Sequence, residues 1–139
     1  MFLMRMIYCS KISNEFNDNS IAQILEAARK NNKKEHVTGM LCFNRKYFLQ
    51  CLEGDRTSVN NAYHKILNDK RHENILLLDY QEIDQREFTQ WNMAYLPEQK
   101  LTDEINLKYS GNPDFDPYTM SGNSVFSMML EMKDSITSI

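Results

Sequence analysis

The sequence has no apolar run long enough to cross a bilayer, so it predicts no membrane-spanning helix. Its start lacks the apolar core and cleavage site of a signal peptide. The three cysteines, Cys9, Cys42 and Cys51, form an odd set without metal-ligand or redox spacing. We therefore expect reduced, partly buried thiols in a cytoplasmic protein.

Catalytic and phosphate-binding motifs are missing as well. No Gly-x-Ser-x-Gly, Walker or Gly-x-Gly-x-x-Gly pattern occurs, and the three histidines have no metal-binding context. The formal net charge is −3 and no face is rich in lysine or arginine, which argues against a nucleic-acid partner. Catalysis by side chains alone is therefore poorly supported.

The order of periodic segments predicts an α+β fold for a chain whose 139 residues suit one domain. Strands are predicted over residues 3–9, 36–43, 47–53, 75–82 and 88–96, with amphipathic helices beginning at Ser20 and after Asp55. This βαββαβ order with a final strand is that of a ferredoxin-like sheet carrying both helices on one face. We assign residues 1–97 to this domain.

The residues after Pro97 are predicted to be largely helical. Residues 101–109 can form a helix, and Val125 is followed by methionines at helical spacing. We expect residues 98–139 to be a helical extension, not an independent domain, that packs on the open sheet face or on a partner subunit.

Gln50 stands out because it interrupts an apolar run in the predicted third strand. Leaving a buried amide unpaired costs about 1–3 kcal/mol. The first and third strands are central neighbours in the predicted topology, so Tyr8 can meet Gln50. With Asn31 and Asn32 they offer neutral donors and acceptors, which suit a heteroaromatic ring better than a phosphate. Taken alone, Tyr8 fits a core tyrosine and the asparagines fit a helix cap.

Several colinear segments resemble the BLUF family of flavin-binding blue-light sensors. They are Ile7-Tyr8-Cys9-Ser10, Asn31-Asn32, Val37-Thr38-Gly39-Met40-Leu41, Phe48-Leu49-Gln50, Leu52-Glu53-Gly54, Asp69-Lys70-Arg71-His72 and Trp91-Asn92-Met93. The resemblance covers residues 2–96. The segment 107–110 also resembles short, stand-alone members best known from cyanobacteria.

The resemblance implies that FAD, or alternatively FMN, binds non-covalently between the two helices against the sheet. Asn32 and Asn31 would contact the ring edge, with Gln50 between Tyr8 and the ring. The ring walls would be Ile24, Leu41, Phe48 and Ile66, and the ribityl-phosphate end would be lined by Lys65, Asp69, Arg71 and His72. Lys65 replaces an arginine common in close relatives, which keeps the charge but loses bidentate geometry.

The resemblance further implies a photochemical switch without net turnover of a substrate. Tyr8 would release an electron and a proton after excitation, with Gln50 as relay, and Gln50 would end in a rearranged or tautomeric state. Trp91 and Met93 would pass the change to residues 98–139. The sequence leaves open which of these two lies beside Gln50, and Trp91 fits a core role equally well. The expected partners are an unidentified signalling protein and further copies of the chain, without nucleic acid or membrane.

Three other interpretations fit the sequence less well. A small enzyme of the acylphosphatase kind needs an arginine in a glycine-rich loop after the first strand, and residues 10–13 contain neither. An RNA-binding sheet could use Phe43, Tyr47 or Phe48 as stacking platforms, but the charge balance is acidic. A related scaffold that has lost its flavin would not be expected to keep Tyr8, Asn32 and Gln50.

Overall fold

Strands and helices alternate along the chain up to residue 96, and further helices follow. The computed structural model describes residues 2–89 and 91–134. The elements are β1 (Leu3–Ile12), α1 (Ser20–Glu35), β2 (Thr38–Phe43), β3 (Tyr47–Asp55), α2 (Arg56–Leu67), β4 (His72–Glu82), β5 (Ala94–Leu96), α3 (Asp103–Ser110) and α4 (Gly122–Lys133). Single 3₁₀ turns occur at Glu98–Lys100 and Pro117–Thr119. Parts of the predicted last strand and extension, Gln90 and residues 135–139, lie outside the described residues.

The five strands form one sheet in the order β4-β1-β3-β2-β5. β1 pairs antiparallel with both β3 and β4, β2 pairs antiparallel with β3, and β5 runs parallel to β2. This is the predicted ferredoxin-like arrangement with a short fifth strand at the β2 edge, so the predicted fold class is confirmed. The register places Tyr8 directly opposite Gln50 on the two central strands.

Two apolar layers cover the sheet. On the first face, α1 and α2 pack over Leu41 and Leu52, and we call this the cofactor-side layer. On the second face, Val125, Met128 and Met129 of α4 are fully buried against strand residues, in what we call the α4-side layer. The predicted helical stripe of the extension therefore packs on the sheet. None of the helices within residues 2–89 and 91–134 is long and apolar enough to span a bilayer.

The predicted last strand, residues 88–96, is wrong in its first part. Only Ala94–Leu96 pairs with β2, while Phe88 is buried in the α4-side layer and Met93 in the cofactor-side layer. The chain thus passes from one layer to the other at the β2 edge, where Gly39 N–H donates to the carbonyl of Trp91 at 3.1 Å. Trp91 packs against the α4-side layer, so it does not share a face with Met93 as predicted.

Side-chain caps mark where α2 and α4 begin, one on each face of the sheet. Asp55 is the last residue of β3, where it pairs with Leu3, and its Oδ1 accepts the N–H of Ser58 at 3.1 Å. Ser121 Oγ accepts the N–H of Ser124 at 3.0 Å at the start of α4. Each bond satisfies a backbone donor that the helix itself leaves free. The helices are therefore held in place at the sheet from their first turn.

The N-terminus of α4 approaches β4 so closely that only glycine fits. A Cβ atom on Gly122 would lie 2.6 Å from the carbonyl oxygen of Leu78. We predict that Gly122→Ala displaces the start of α4 and lowers the free energy of unfolding by about 1–3 kcal/mol. Denaturant unfolding measures this, with the exposed neighbour substitution Asn123→Ala as the control. An alanine variant as stable as the unchanged protein would contradict the close packing.

Candidate functional site

A cavity of about 350 Å³ opens between α1 and α2, with the sheet as its floor. Tyr8, Leu41 and Gln50 contribute to the floor, and Ile24 and Ile66 face it from the two helices. Apolar walls with a few polar groups are typical of small-molecule sites. The cavity is therefore the natural place for a ligand of this chain.

The structure brings together all but one of the residues predicted to contact a cofactor. Those lining the cavity are Ile24, Asn31, Asn32, Leu41, Gln50, Lys65, Ile66, Asp69, Arg71 and His72. Phe48 is the exception, because it is fully buried with its ring centroid 4.4 Å from that of His72. It does not line the cavity but packs against one of the residues that do.

Sequence reasoning missed a second group of lining residues. They are Ala27, Ala28, Glu35, Val37, Leu52, Ser58, Asn61, Ala62 and His64. Helical spacing could have found some of them, because Ala27 and Ala28 lie one turn before Asn31 and Asn32 on the same face. Their small side chains leave room between the helices.

Tyr8 and Gln50 form a buried hydrogen-bonded pair at the cavity floor. Their exposed fractions are 1% and 4%, and the Tyr8 hydroxyl donates to Gln50 Oε1 in a short contact. Burial raises the pKa of Tyr8 well above its usual value, and the charge of Asp69 adds to the increase. Tyr8 is therefore a neutral phenol that holds its proton against the amide oxygen.

The other end of the Gln50 amide contacts Met93. Gln50 Nε2 donates to Met93 Sδ at 3.3 Å. Met93 is buried on the cofactor side, whereas Trp91 packs in the α4-side layer. Of the two residues between which the sequence could not choose, Met93 is the one beside Gln50.

Asn32 is held in an orientation that leaves its carbonyl free for a ligand. Its Nδ2 donates to the backbone carbonyl of Asn92 at 2.9 Å, and the side chain is buried at the cavity wall. No described residue donates to Asn32 Oδ1. Because Asn32 lines the cavity, this oxygen offers an acceptor to a ligand that carries an N–H group.

The outer end of the cavity is polar, and its charged side chains differ in whether they are already paired. Burial favours a higher pKa for Asp69, but the hydrogen bonds from Arg71, including 2.7 Å to Nη2, lower it overall. Arg71 is thus already paired with Asp69. Lys65 has no ion pair among the described residues, so it remains the cation most accessible to a ligand phosphate.

His72 is a neutral base at the same end. Its Nδ1 lies 2.7 Å from Ser10 Oγ, and burial lowers the pKa of His72 to about 4. The ring therefore carries no charge near neutral pH. It offers hydrogen bonds and an aromatic face rather than a positive charge.

A family model described as BLUF, sensors of blue-light using FAD, matches residues 3–94. The chain belongs to the BLUF family. It is therefore a blue-light photoreceptor with FAD as its cofactor. The enzyme of the acylphosphatase kind considered from the sequence finds no support, since Ser10 bonds to His72 and no arginine-bearing phosphate loop follows β1 in the described residues.

Relatives and solved structures agree with this assignment. The chain is 39% identical over 80 residues to the blue light- and temperature-regulated antirepressor BluF of Escherichia coli K12, covering 56% of the chain and 20% of that protein. It is 31% identical over 84 residues to photoactivated adenylate cyclase subunit alpha of Euglena gracilis, covering 60% of the chain and 8% of that protein. The chain thus spans a fifth or less of the length of these curated relatives.

Two solved BLUF structures match along nearly their whole length. The photo-activated state of BlsA has a TM-score of 0.84 and 28% identity, covering 93% of both chains. The dark state of BlrB has a TM-score of 0.79 and 25% identity, covering 96% of both chains. Because the family model ends at residue 94, this likeness shows that the helices after β5 are also shared.

The BLUF cavity in this chain fits a flavin by the chemistry of its donor set. Ile24, Leu41 and Ile66 offer apolar walls for a ring, and the free oxygen of Asn32 offers an acceptor for a ring N–H. Lys65 supplies a cation at the outer end for a phosphate. These residues would hold FAD, with the Tyr8–Gln50 pair on the cavity floor.

The free acceptor of Asn32 gives a direct test of flavin retention. We predict that Asn32→Ala raises the dissociation constant for FAD about tenfold, because a buried hydrogen bond is lost. The flavin-to-protein ratio and a titration with FAD measure this. The control is Asn60→Ala, since Asn60 is an exposed helical asparagine outside the cavity lining. Equal retention in both variants would contradict the role of Asn32.

The depressed pKa of His72 predicts a specific acid sensitivity. Between pH 6.5 and about 4 the unfolded chain takes up a proton that buried His72 does not, so stability falls as the pH is lowered through this window. His72 contributes a loss of up to about 3 kcal/mol, which His72→Gln should remove. Unfolding free energies at several pH values test this. His64→Gln, at an exposed histidine, is the control. The same acid slope in His72→Gln and the unchanged protein would contradict it.

Proposed function

We propose that light changes the hydrogen bonding of the Tyr8–Gln50 pair and that Met93 passes this change to the helices after β5. The observation that carries the proposal is the buried chain of contacts from Tyr8 through the Gln50 amide to Met93 Sδ. When bound, FAD supplies blue-light absorption and an electron acceptor on excitation. The remaining steps belong to the side chains of this protein.

Tyr8 is suited to releasing an electron together with a proton. Its raised pKa keeps the phenol protonated before light absorption. A phenol that loses an electron becomes strongly acidic, and the nearest acceptor for its proton is Gln50 Oε1. When the electron and the proton return to Tyr8, the Gln50 amide can be left in a rearranged or tautomeric state.

Gln50 can store that state because its two amide ends differ chemically while its shape is nearly symmetric. Rotation would place Nε2 toward Tyr8 and Oε1 toward Met93. A thioether sulfur accepts hydrogen bonds weakly and donates none, so the present contact with Met93 Sδ would be lost. Tautomerisation would change the same contact by altering the protons on nitrogen. Met93 is therefore the neighbour most affected by either change.

Met93 connects this change to the rest of the fold. Its carbonyl accepts from Arg29 Nε of α1 at 3.1 Å, and the next residue, Ala94, begins β5. Ala94 and Leu96 pack in the α4-side layer. A shift of Met93 would thus act on β5 and on the helix that covers this layer.

The proposed output is binding of a signalling protein, or a change in the association of copies of this chain, through α3 and α4. The E. coli relative is named an antirepressor and the Euglena relative a photoactivated cyclase subunit. Those names support output to another protein or domain rather than turnover of a substrate by the BLUF fold itself. We also propose that residues 98–139 form this output surface rather than an independent domain.

The switch roles are tested by Tyr8→Phe and Gln50→Leu. We predict that both variants retain FAD but lose the reversible red shift of flavin absorption under blue light, since one lacks the proton and the other lacks the amide. Light-minus-dark absorption spectra measure this. Tyr63→Phe is the matched control, because the Tyr63 ring lies 5.8 Å from that of Tyr8 without a hydrogen bond to Gln50. A normal photocycle in either switch variant would refute the assigned role.

A further inference from the structure

A fully buried carboxylate lies on the α4 side of β3, where the proposed switch does not use it. Glu53 is three residues from Gln50 on the same strand, so their side chains point to opposite faces of the sheet. Glu53 Oε2 lies 3.0 Å from both Nε and Nη2 of Arg5 on β1. A buried charge of this kind requires a paired and hydrogen-bonded partner, which the Arg5 guanidinium supplies.

The second oxygen of Glu53 holds the start of the segment that ends at Met93. We call residues 86–89 and 91–93 the crossing segment. Glu53 Oε1 accepts the backbone N–H groups of Glu87 and Phe88, both at 2.9 Å. The crossing segment is therefore fixed at one end by the Glu53 carboxylate and meets Gln50 at the other end through Met93.

The same carboxylate is also linked to α4. The guanidinium carbon of Arg5 lies 3.8 Å from the ring centroid of Phe126, in a cation–π contact. Near the end of α4, Lys133 Nζ donates to the carbonyl of Glu87 at 3.0 Å. The contacts of α4 with Arg5 and with Glu87 thus both depend on groups that are hydrogen-bonded to Glu53.

We propose that Glu53 is a positioning residue that couples the crossing segment to α4. Its bonds to Arg5, Glu87 and Phe88 are charge-assisted and shielded from water, so a shift of the crossing segment either moves these partners together or breaks bonds that water cannot easily replace. In both cases the contacts of α4 change. This inference rests on the proposed function, because the shift starts at Gln50.

The substitution Glu53→Gln keeps the shape of the side chain and an oxygen for the backbone N–H groups. It removes the charge that pairs with Arg5 and turns amide donors toward the guanidinium. The double substitution Phe126→Leu/Lys133→Gln instead removes the cation–π contact with Arg5 and the hydrogen bond to the carbonyl of Glu87, and it leaves Glu53 intact. If Glu53→Gln fails to fold, this double variant still tests whether the two contacts carry the light response to α4.

The matched control is Glu131→Gln. Glu131 is a carboxylate on α4 that contacts Lys108 and Tyr109 of α3 and not the crossing segment. This control therefore removes a polar contact of α4 without touching the proposed link.

The test uses the FAD-loaded full chain and two measurements. Absorption spectra give the light-induced red shift, and hydrogen exchange with mass spectrometry gives the light-minus-dark difference for residues 84–96 and 122–133. In the unchanged protein and in Glu131→Gln, we expect light to alter exchange in both regions. In Glu53→Gln and in the double variant, the red shift and the response of residues 84–96 should remain, while the response of residues 122–133 falls about fivefold or more.

Several results would overturn the proposal. They are an undiminished response of residues 122–133 in either linking variant, a loss of the red shift in Glu53→Gln, and equal exchange of residues 122–133 in light and dark in the unchanged protein. The last result, with a normal red shift, would leave the proposed switch at Tyr8 and Gln50 in place. Absence of a red shift in the unchanged protein would instead contradict the proposed function, and this inference with it.

Discussion

The side-chain amide of Gln50 needs hydrogen-bond partners inside an otherwise apolar sheet, and the surrounding structure is arranged to provide them. Antiparallel pairing of β1 with β3 brings the Tyr8 hydroxyl to its oxygen, and the chain before β5 brings Met93 Sδ to its nitrogen. Each partner satisfies one end of the amide only. The polar capacity that remains borders a cavity suited to a flavin, so the buried amide connects the cofactor site to the edge of the sheet.

The elements were largely predictable because one face of each carries an apolar pattern of the right period. The methionines of α4 are buried as their helical spacing predicts. The last strand was mispredicted for a specific reason: Phe88 and Met93 are both buried, but in different layers. Periodicity shows which residues are apolar, but it does not show on which face of the sheet each residue packs. A segment crossing between two layers therefore resembles a paired strand in the sequence.

The residues of the site were likewise only partly predictable from the sequence. Tyr8 and Gln50 could be paired from topology alone, and the family resemblance supplied half of the other lining residues. The resemblance implies Phe48 as part of the cavity wall, yet its ring lies against that of His72 instead. The pairing of Glu53 with Arg5, 48 residues apart in sequence, has no local signal, because a charged residue in a strand is usually solvent-exposed. Its burial depends on α4 and on the crossing segment covering that face.

We propose that the Gln50 amide itself changes state under light. Light-minus-dark infrared difference spectra of the FAD-loaded protein, with isotope label in the glutamine side-chain amides, test this most directly. We predict label-sensitive amide bands that arise with the flavin red shift, decay with it, and are absent from Gln50→Leu. A normal red shift without any label-sensitive glutamine band would show that the Gln50 amide does not change state under light.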